Sequence, residues 1–340
     1  MKRLLLALLL LASVSPARAH DVKDPVCRMT VDSDTAVHIH KVSGKTFYFC
    51  SAACKTTFAK APARYVRLAA ELEGAGGREY KISVTTAPAA PRYGQPVELA
   101  FAVRDASSGA LVRDFELVHE KLLHLVIVSE DLNWFAHLHP ERGSDGLFRL
   151  RARFPHGGLF RLIADFTPAA GDNQVLQTPL RVSGPGVGKR AMAPSQRLTQ
   201  RVGSYNVRLQ VRPALRADRP SLFTYTVTDG HGRPVRNLRP YLGAMGHLFM
   251  VKQDGSEVLH THTLDAPTRM VREGEMTLTR AMATPTGPSF TFKVTPPSAG
   301  LYKIWAQFQH GQQILTVPFA LKVQPVWTGA APPMDGAGRS

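Results

Sequence analysis

The chain has 340 residues, with 42 Lys and Arg against 26 Asp and Glu, a formal net charge of +16 and a hydrophobic content of 44%. That composition is ordinary for a globular protein and excludes a fibrous or low-complexity chain. The basic residues are scattered and no nucleic-acid motif accompanies them, so the excess speaks for contact with anionic envelope surfaces or for no partner at all.

Residues 1–19 read as an export signal. Lys2 and Arg3 precede the apolar run Leu4 to Leu11, and Ala17-Arg18-Ala19 supplies a small-x-small cleavage site. No later run is long and apolar enough to span a bilayer. The expectation is a periplasmic or secreted protein that contacts the membrane surface at most. Cleavage after Ala19 leaves His20 first, where amine and imidazole together form a weak candidate copper chelate.

Residues 20–72 form a first unit. The strand-like Lys45 to Phe49 runs into Cys50, a helix is expected from Ser51 to Phe58, and a second helix from Arg64 to Leu72 follows the stop at Ala61-Pro62. A unit of about 50 residues makes a thin core, and such modules usually need a metal or a crosslink. The chain's three cysteines, Cys27, Cys50 and Cys54, all lie here. An odd number cannot pair completely in an oxidising compartment. Either a disulfide leaves one thiol over, or all three ligate a metal. Cys50 and Cys54, four apart at a helix start, share one face, and a helix N-terminus favours thiolate. Three thiolates suit Cu(I), or Zn(II) with a fourth ligand. His38 and His40, alternating on one strand, are weak candidates for that ligand, and Met29 is a soft donor near Cys27.

Asp24-Pro-Val-Cys27-Arg-Met29-Thr-Val31, Phe47-Tyr-Phe-Cys50-Ser-x2-Cys54-x3-Phe58 and Pro62-x2-Tyr65 resemble the YHS family over nearly the whole unit. The resemblance implies a small treble-clef-like α+β fold, an association with heavy metals and copper above all, and Cys27, Cys50 and Cys54 as the ligands. The family usually has glycine after its first cysteine, where this chain has Arg28.

From Tyr80 the pattern changes to short alternating runs punctuated by Pro, Gly and Asp, which predicts antiparallel Ig-like β-sandwiches. Residues 80–183 form a first repeat, 184–203 a linker, 204–326 a second repeat and 327–340 a disordered tail. Pro96 to Asp105 aligns with Pro220 to Asp229, and Gly158-Leu-Phe-Arg-Leu-Ile-Ala-Asp-Phe166 with Gly300-Leu-Tyr-Lys-Ile-Trp-Ala-Gln-Phe308. The second repeat carries a longer insertion near Pro267 to Pro288. Both repeats resemble domains of exported bacterial proteins associated with metal resistance.

Each repeat also carries the spacing H-x12-H-x-H, as His124, His137 and His139 and as His247, His260 and His262. A hairpin turning at Glu130-Asp131 places His124 opposite His137, with His139 on the same face. A turn at Gln253-Asp254, with Gly255 left-handed, does the same for His247 and His260. Each set is either a site for Cu(II) or Zn(II) or a group of packed core histidines repeated with the domain. His119, His156 and His310 are weaker ligands from neighbouring loops, and His231 lies in an exposed turn.

No HExxH sequence, nucleophile elbow or phosphate loop is present. The reading that unites these features is a non-catalytic exported metal-binding protein. It handles copper, with zinc as the alternative, as chaperone or sequestration factor for an efflux pump or metalloenzyme. The alternatives are a copper-dependent oxidoreductase using His20 or a histidine set, and a tandem-sandwich structural or adhesion protein.

Overall fold

A computed structural model describes residues 21–33, 36, 38–74, 78–169, 171–188, 191–264 and 287–326. The signal segment, His20, the tail and nearly all of the Pro267 to Pro288 insertion lie outside the described residues. The chain is mainly β, a small α+β module followed by two antiparallel sandwiches, as the sequence pattern predicts.

In the module, β1 (Asp21–Lys23) and β2 (Thr30–Asp32) flank a tight knuckle, and β3 (His38–Val42) pairs with β4 (Lys45–Phe49). Helix α1 (Ala52–Lys60) follows, and Ser51 caps it by accepting a hydrogen bond from the Cys54 amide at 3.2 Å. Pro62 both stops α1 and opens α2 (Pro62–Gly74), a first-turn position that needs no amide hydrogen. Phe58 is fully buried among Phe47, Phe49 and Tyr65, an aromatic core small enough to need outside support.

The first sandwich comprises β5 (Tyr80–Ala87), β6 (Pro96–Asp105), β7 (Leu123–Ser129), β8 (Phe135–Leu138), β9 (Glu141–Arg142), β10 (Phe148–Arg153), β11 (Gly158–Phe166) and β12 (Gln174–Val182). Its sheets run β5-β6-β10-β9 and β12-β11-β7-β8. The second comprises β13 (Thr199–Val202), β14 (Tyr205–Arg212), β15 (Ser221–Asp229), β16 (Leu238–Arg239), β17 (His247–Lys252), β18 (Val258–His262), β19 (Ser289–Val294), β20 (Gly300–His310) and β21 (Gln313–Val323). One sheet runs β13-β14-β15-β19. The other runs β16-β20-β17-β18, with β21 also on β20. Strand β13 begins inside the stretch expected to be linker, because Thr199 to Val202 pairs with β14.

All seven residues of β7 are buried, as its unbroken apolar run suggests, and alternation explains how. Leu123, Leu125 and Ile127 enter the core of their own sandwich, while Val126 and Val128 point the other way. On β17, Leu248 and Met250 face inward, while Phe249 and Val251 face outward. The two outward faces meet: Val126, Val128, Leu132 and Ile163 pack against Phe249, Val251 and Trp305, with Phe135 stacked on Trp305 at 4.8 Å. His124 and His247 share this face parity and lie in the same interface.

The module docks on the first sandwich. Arg28 has φ of 61°, so the position does require the left-handed backbone that glycine favours. Arginine accepts that strain and reaches Asp172 through Nε at 2.8 Å. The Thr167 hydroxyl donates to the Cys27 carbonyl at 2.9 Å, and Glu116 accepts from Arg64 and Tyr65. Replacing Arg28 with glycine should retain the knuckle and lose the clamp, at about 1 kcal/mol because Asp172 is part-exposed. Hydrogen exchange of the module amides should then quicken about fivefold, with exchange in the sandwiches unchanged.

Candidate metal centres

Three clusters of ligand-type side chains each bring their donor atoms within 4.8 Å of one another: Asp24 with Cys27, Cys50 and Cys54, then His124 with His137 and His139, then His247 with His260 and His262. In the first, the Cys27 and Cys50 sulfurs lie 3.4 Å apart and those of Cys50 and Cys54 3.7 Å apart, and all three are free thiols. A tetrahedral thiolate site with metal–sulfur bonds of about 2.3 Å needs sulfurs about 3.8 Å apart. The spacing suits one ion bound by three sulfurs.

Cys50 is the residue between β4 and the Ser51 cap, rather than the first turn of the helix; Cys54 alone lies in that turn. Hydrogen bonds from the Cys27 and Cys50 thiols, with the Ser51 hydroxyl, hold the Cys54 thiol well below the usual range, whereas burial pushes Cys27 up. One thiolate is thus favoured at rest, and a cation is the natural means of forming the others.

Asp24 carries no signal in cysteine spacing, and its role differs from that of the thiols. One oxygen accepts from the Val26 and Cys27 amides and the other from the Cys50 amide at 2.8 Å. It ties the knuckle to the end of the hairpin and so fixes where Cys27 and Cys50 meet. Burial, reinforced by Cys54, pushes its pKa up to about 8. His38 is buried, lowered to about 4 chiefly by burial, and stands outside the cysteine group; His40 packs edge-on to Phe58. Met29 is half-buried and packs against the module core that contains Cys27 and Cys54.

The histidine hairpins form, with a register two residues from that expected. Val126 faces His137, and Phe249 faces His260 while His247 faces His262. Each turn is centred one residue later than symmetry about the first two histidines requires. Leu132 and Gly255, equivalent in the repeats, both adopt left-handed backbone with φ of 57° and 75°. Leu132 does so with its side chain buried between the sandwiches, a tertiary demand that alternation does not reveal. A shift of two leaves every side chain on its face, so the sets still converge.

The hydrogen-bond partners fix which nitrogen of each ring carries the proton. Nε2 of His124 donates to the Val118 carbonyl at 3.0 Å, and Nε2 of His247 donates to the Tyr241 carbonyl at 2.8 Å, six residues back in each repeat. Nδ1 of His137 donates to Oε1 of Gln307 at 2.9 Å, and Thr316 orients that amide. Nδ1 of His260 donates to Asp165 at 2.6 Å. The lone pairs left on His124 Nδ1 and His137 Nε2 face each other at 3.2 Å, and His139 Nε2 also lies 3.2 Å from His137 Nε2.

These contacts are exchanged between the repeats. A histidine of the first sandwich is held by Gln307 of the second, and the equivalent histidine of the second by Asp165 of the first. The rings of His124 and His247 are 6.4 Å apart and those of His137 and His260 6.0 Å apart, so the two sets form one centre. The pattern is that of an isologous dimer interface within one chain. Asp165 and Gln307 occupy matching positions in the repeat alignment, and that match is the sequence signal that could have singled them out.

Burial lowers His119 and His139 to about 4 and His124 to about 3, and drives His137, His247 and His262 well below the ordinary value. These imidazoles are neutral at pH 7 with lone pairs available. Burial works against the Asp165 charge, but the hydrogen bond from His260 holds its carboxyl below the usual range. Five of the eight buried side-chain polar atoms without a partner, among the described residues, are imidazole nitrogens of this region, on His119, His247, His260 and His262. Each unpaired buried group costs about 1–3 kcal/mol, so the cluster suits a bound cation better than it suits a core. His156 bonds the Gly157 carbonyl, both nitrogens of His310 are taken by Tyr205 and Asn237, and His231 is exposed; none joins the centre.

In protein kept free of metal, the folded state binds protons at His119 and His124 only near pH 4 and 3, while the unfolded chain binds them near 6.5. Stability present above pH 6.5 should therefore be lost as pH falls through that window, by about 1.4 kcal/mol per unit for each histidine. Denaturant midpoints measured in chelator from neutral pH downward check this; a flat profile would contradict neutral burial of these rings.

Residues 22–69 match the YHS domain, and residues 75–184 and 200–325 match a domain of unknown function, DUF8832. No curated protein matches the chain. Among solved structures, the Escherichia coli adhesin FdeC is 15% identical, with 71% of this chain and 63% of that chain covered and a TM-score of 0.22. A tetra-tandem repeat from the extending region of a large adhesion protein is 12% identical, with 72% and 49% covered and a TM-score of 0.24. Domains 4 and 5 of the S-layer protein SbsC are 10% identical, with 74% and 100% covered and a TM-score of 0.19. The chain spans less than two thirds of the first two, and likenesses this low have no bearing on the metal centres.

Proposed function

The chain belongs to the DUF8832 family, whose description carries no function, and from its own donor atoms we propose that it is an exported, non-catalytic copper-handling protein. The observation that carries this reading is the three unbonded thiols of the YHS module at 3.4 and 3.7 Å. A soft monovalent ion fits three thiolates better than a hard cation does, which favours Cu(I), with Zn(II) as competitor. The two histidine sets add nitrogen donors suited to either copper oxidation state. The protein serves as chaperone or sequestration factor in the periplasm or outside the cell, delivering to an efflux pump or a metalloenzyme. The export signal in residues 1–19 and the YHS match support that placement and cargo.

Chain residues divide the work. Cys27, Cys50 and Cys54 bind, Asp24 and Ser51 position them, and Asp165 and Gln307 orient imidazoles and fix their tautomers. Metal content of anaerobically purified protein, measured beside a variant with all three cysteines replaced by serine, tests the reading. The intact chain should retain one tightly held Cu(I) that the variant loses, and equal content in both would sink it.

The histidine sets are tested in that triple-serine background. Asp165→Ala should weaken Cu(II) binding at the second set by roughly 10–100-fold, because it removes the partner that fixes His260. Competition titration against a chelator gives the number, and an unchanged affinity would assign those histidines to architecture.

A further inference from the structure

His119 belongs to neither set, yet it touches both kinds of centre. It sits on a two-residue turn in which Val118 and Lys121 exchange backbone hydrogen bonds at 2.9 and 3.0 Å. His119 and Glu120 both have positive φ, 47° and 65°, in a turn that normally selects glycine or asparagine. The equivalent turn of the second sandwich has Leu242 and Gly243 in the same conformation. Strained backbone of this kind persists where surrounding structure demands it. Here it drives the imidazole, 1% exposed, out of the first sandwich and against the module.

The ring lies between the two stations. Its Nε2 is 4.0 Å from the Cys50 sulfur, and its face stacks on His262 with centroids 3.5 Å apart. His119 Nδ1 and both nitrogens of His262 have no hydrogen-bond partner, although both rings are buried. His262 is in turn 4.7 Å from His247 and 4.5 Å from His260, centroid to centroid. A cleft of about 480 Å³ between module and second sandwich is lined in part by Cys50, His260 and His262, so it opens beside this stretch.

From this geometry we infer that His119 is a transfer ligand, through which a soft metal ion passes between the thiolate site and the six-histidine centre. The inference rests on the proposed thiolate site and adds a route to it. The step is ligand exchange: an imidazole lone pair of His119 bonds the ion as one cysteine sulfur lets go and keeps its electron pair. His262 then repeats the exchange on the other side. The ion keeps its oxidation state throughout, so no oxidant or reductant enters.

Chemical-exchange NMR on the full chain carrying one equivalent of Cu(I), with labelled cysteine and histidine, reads the movement directly. The expected result is two exchanging states, one perturbing the cysteine signals and one the rings of His262 and its neighbours. His119→Asn suits the left-handed turn and removes the imidazole. It should keep both states and slow their exchange by roughly tenfold to a hundredfold, the scale on which a lost positioned group acts.

Exchange as fast in the variant as in the parent would overturn the inference. So would cysteine signals that respond while no histidine does. A variant that instead loses thiolate occupancy, with no change in exchange rate, would make His119 a static fourth ligand and also overturn it. Cysteine signals unmoved by Cu(I) in the parent would bring down the thiolate site itself, a distinct failure.

Discussion

The centre of this molecule depends on the contact between the outward faces of β7 and β17. Those strands are apolar on both sides, so one side fills each sandwich and the other must be covered. Val126, Val128, Phe249, Val251 and Trp305 cover one another, and the same face parity carries His124 and His247 into the joint. Histidines that would hydrate at a free sheet surface are thereby dehydrated, stripped of charge and left with lone pairs facing inward. The chemistry of the interface is a by-product of its hydrophobicity, tuned by the few polar groups that survive there.

Those polar groups are economical. Each of four histidines has one nitrogen occupied by a defined acceptor, a main-chain carbonyl for His124 and His247 and a side chain of the opposite repeat for His137 and His260. The difference between Gln307 and Asp165 breaks the symmetry. A carboxylate beside His260, where a neutral amide stands beside His137, adds a negative charge on one side of the centre. The half nearer the cysteines therefore favours a cation more strongly than its counterpart does.

Much of this was legible in the sequence, because period and spacing survive folding. The H-x12-H-x-H repeat placed three imidazoles on one face, and that held despite a register shift of two residues, since parity alone decides the face. The strand into Cys50, the helices around Pro62 and the duplicated sandwiches are likewise local patterns. The rest was hidden because it is tertiary. Leu132 takes a glycine-like backbone only because a neighbouring sandwich receives its side chain. Asp24 stands in the YHS-like stretch, but it works through backbone amides, and its side chain's role shows only once the knuckle and the hairpin meet. Whether two histidine sets meet depends on how two domains pack, and no spacing within either encodes that. Arg28, a departure from the YHS pattern, is understood once Asp172 is seen beside it.

The exchanged contacts between the repeats have a consequence for dilution. Two separate chains meeting through such an isologous face would form the six-histidine centre only as far as their concentration allowed. Covalent linkage replaces that dependence with an effective concentration on the order of millimolar, set by the short segment joining the repeats. On dilution, a dimeric site of this kind would be lost by dissociation. Built into one chain, the centre keeps its composition however thinly the protein is spread.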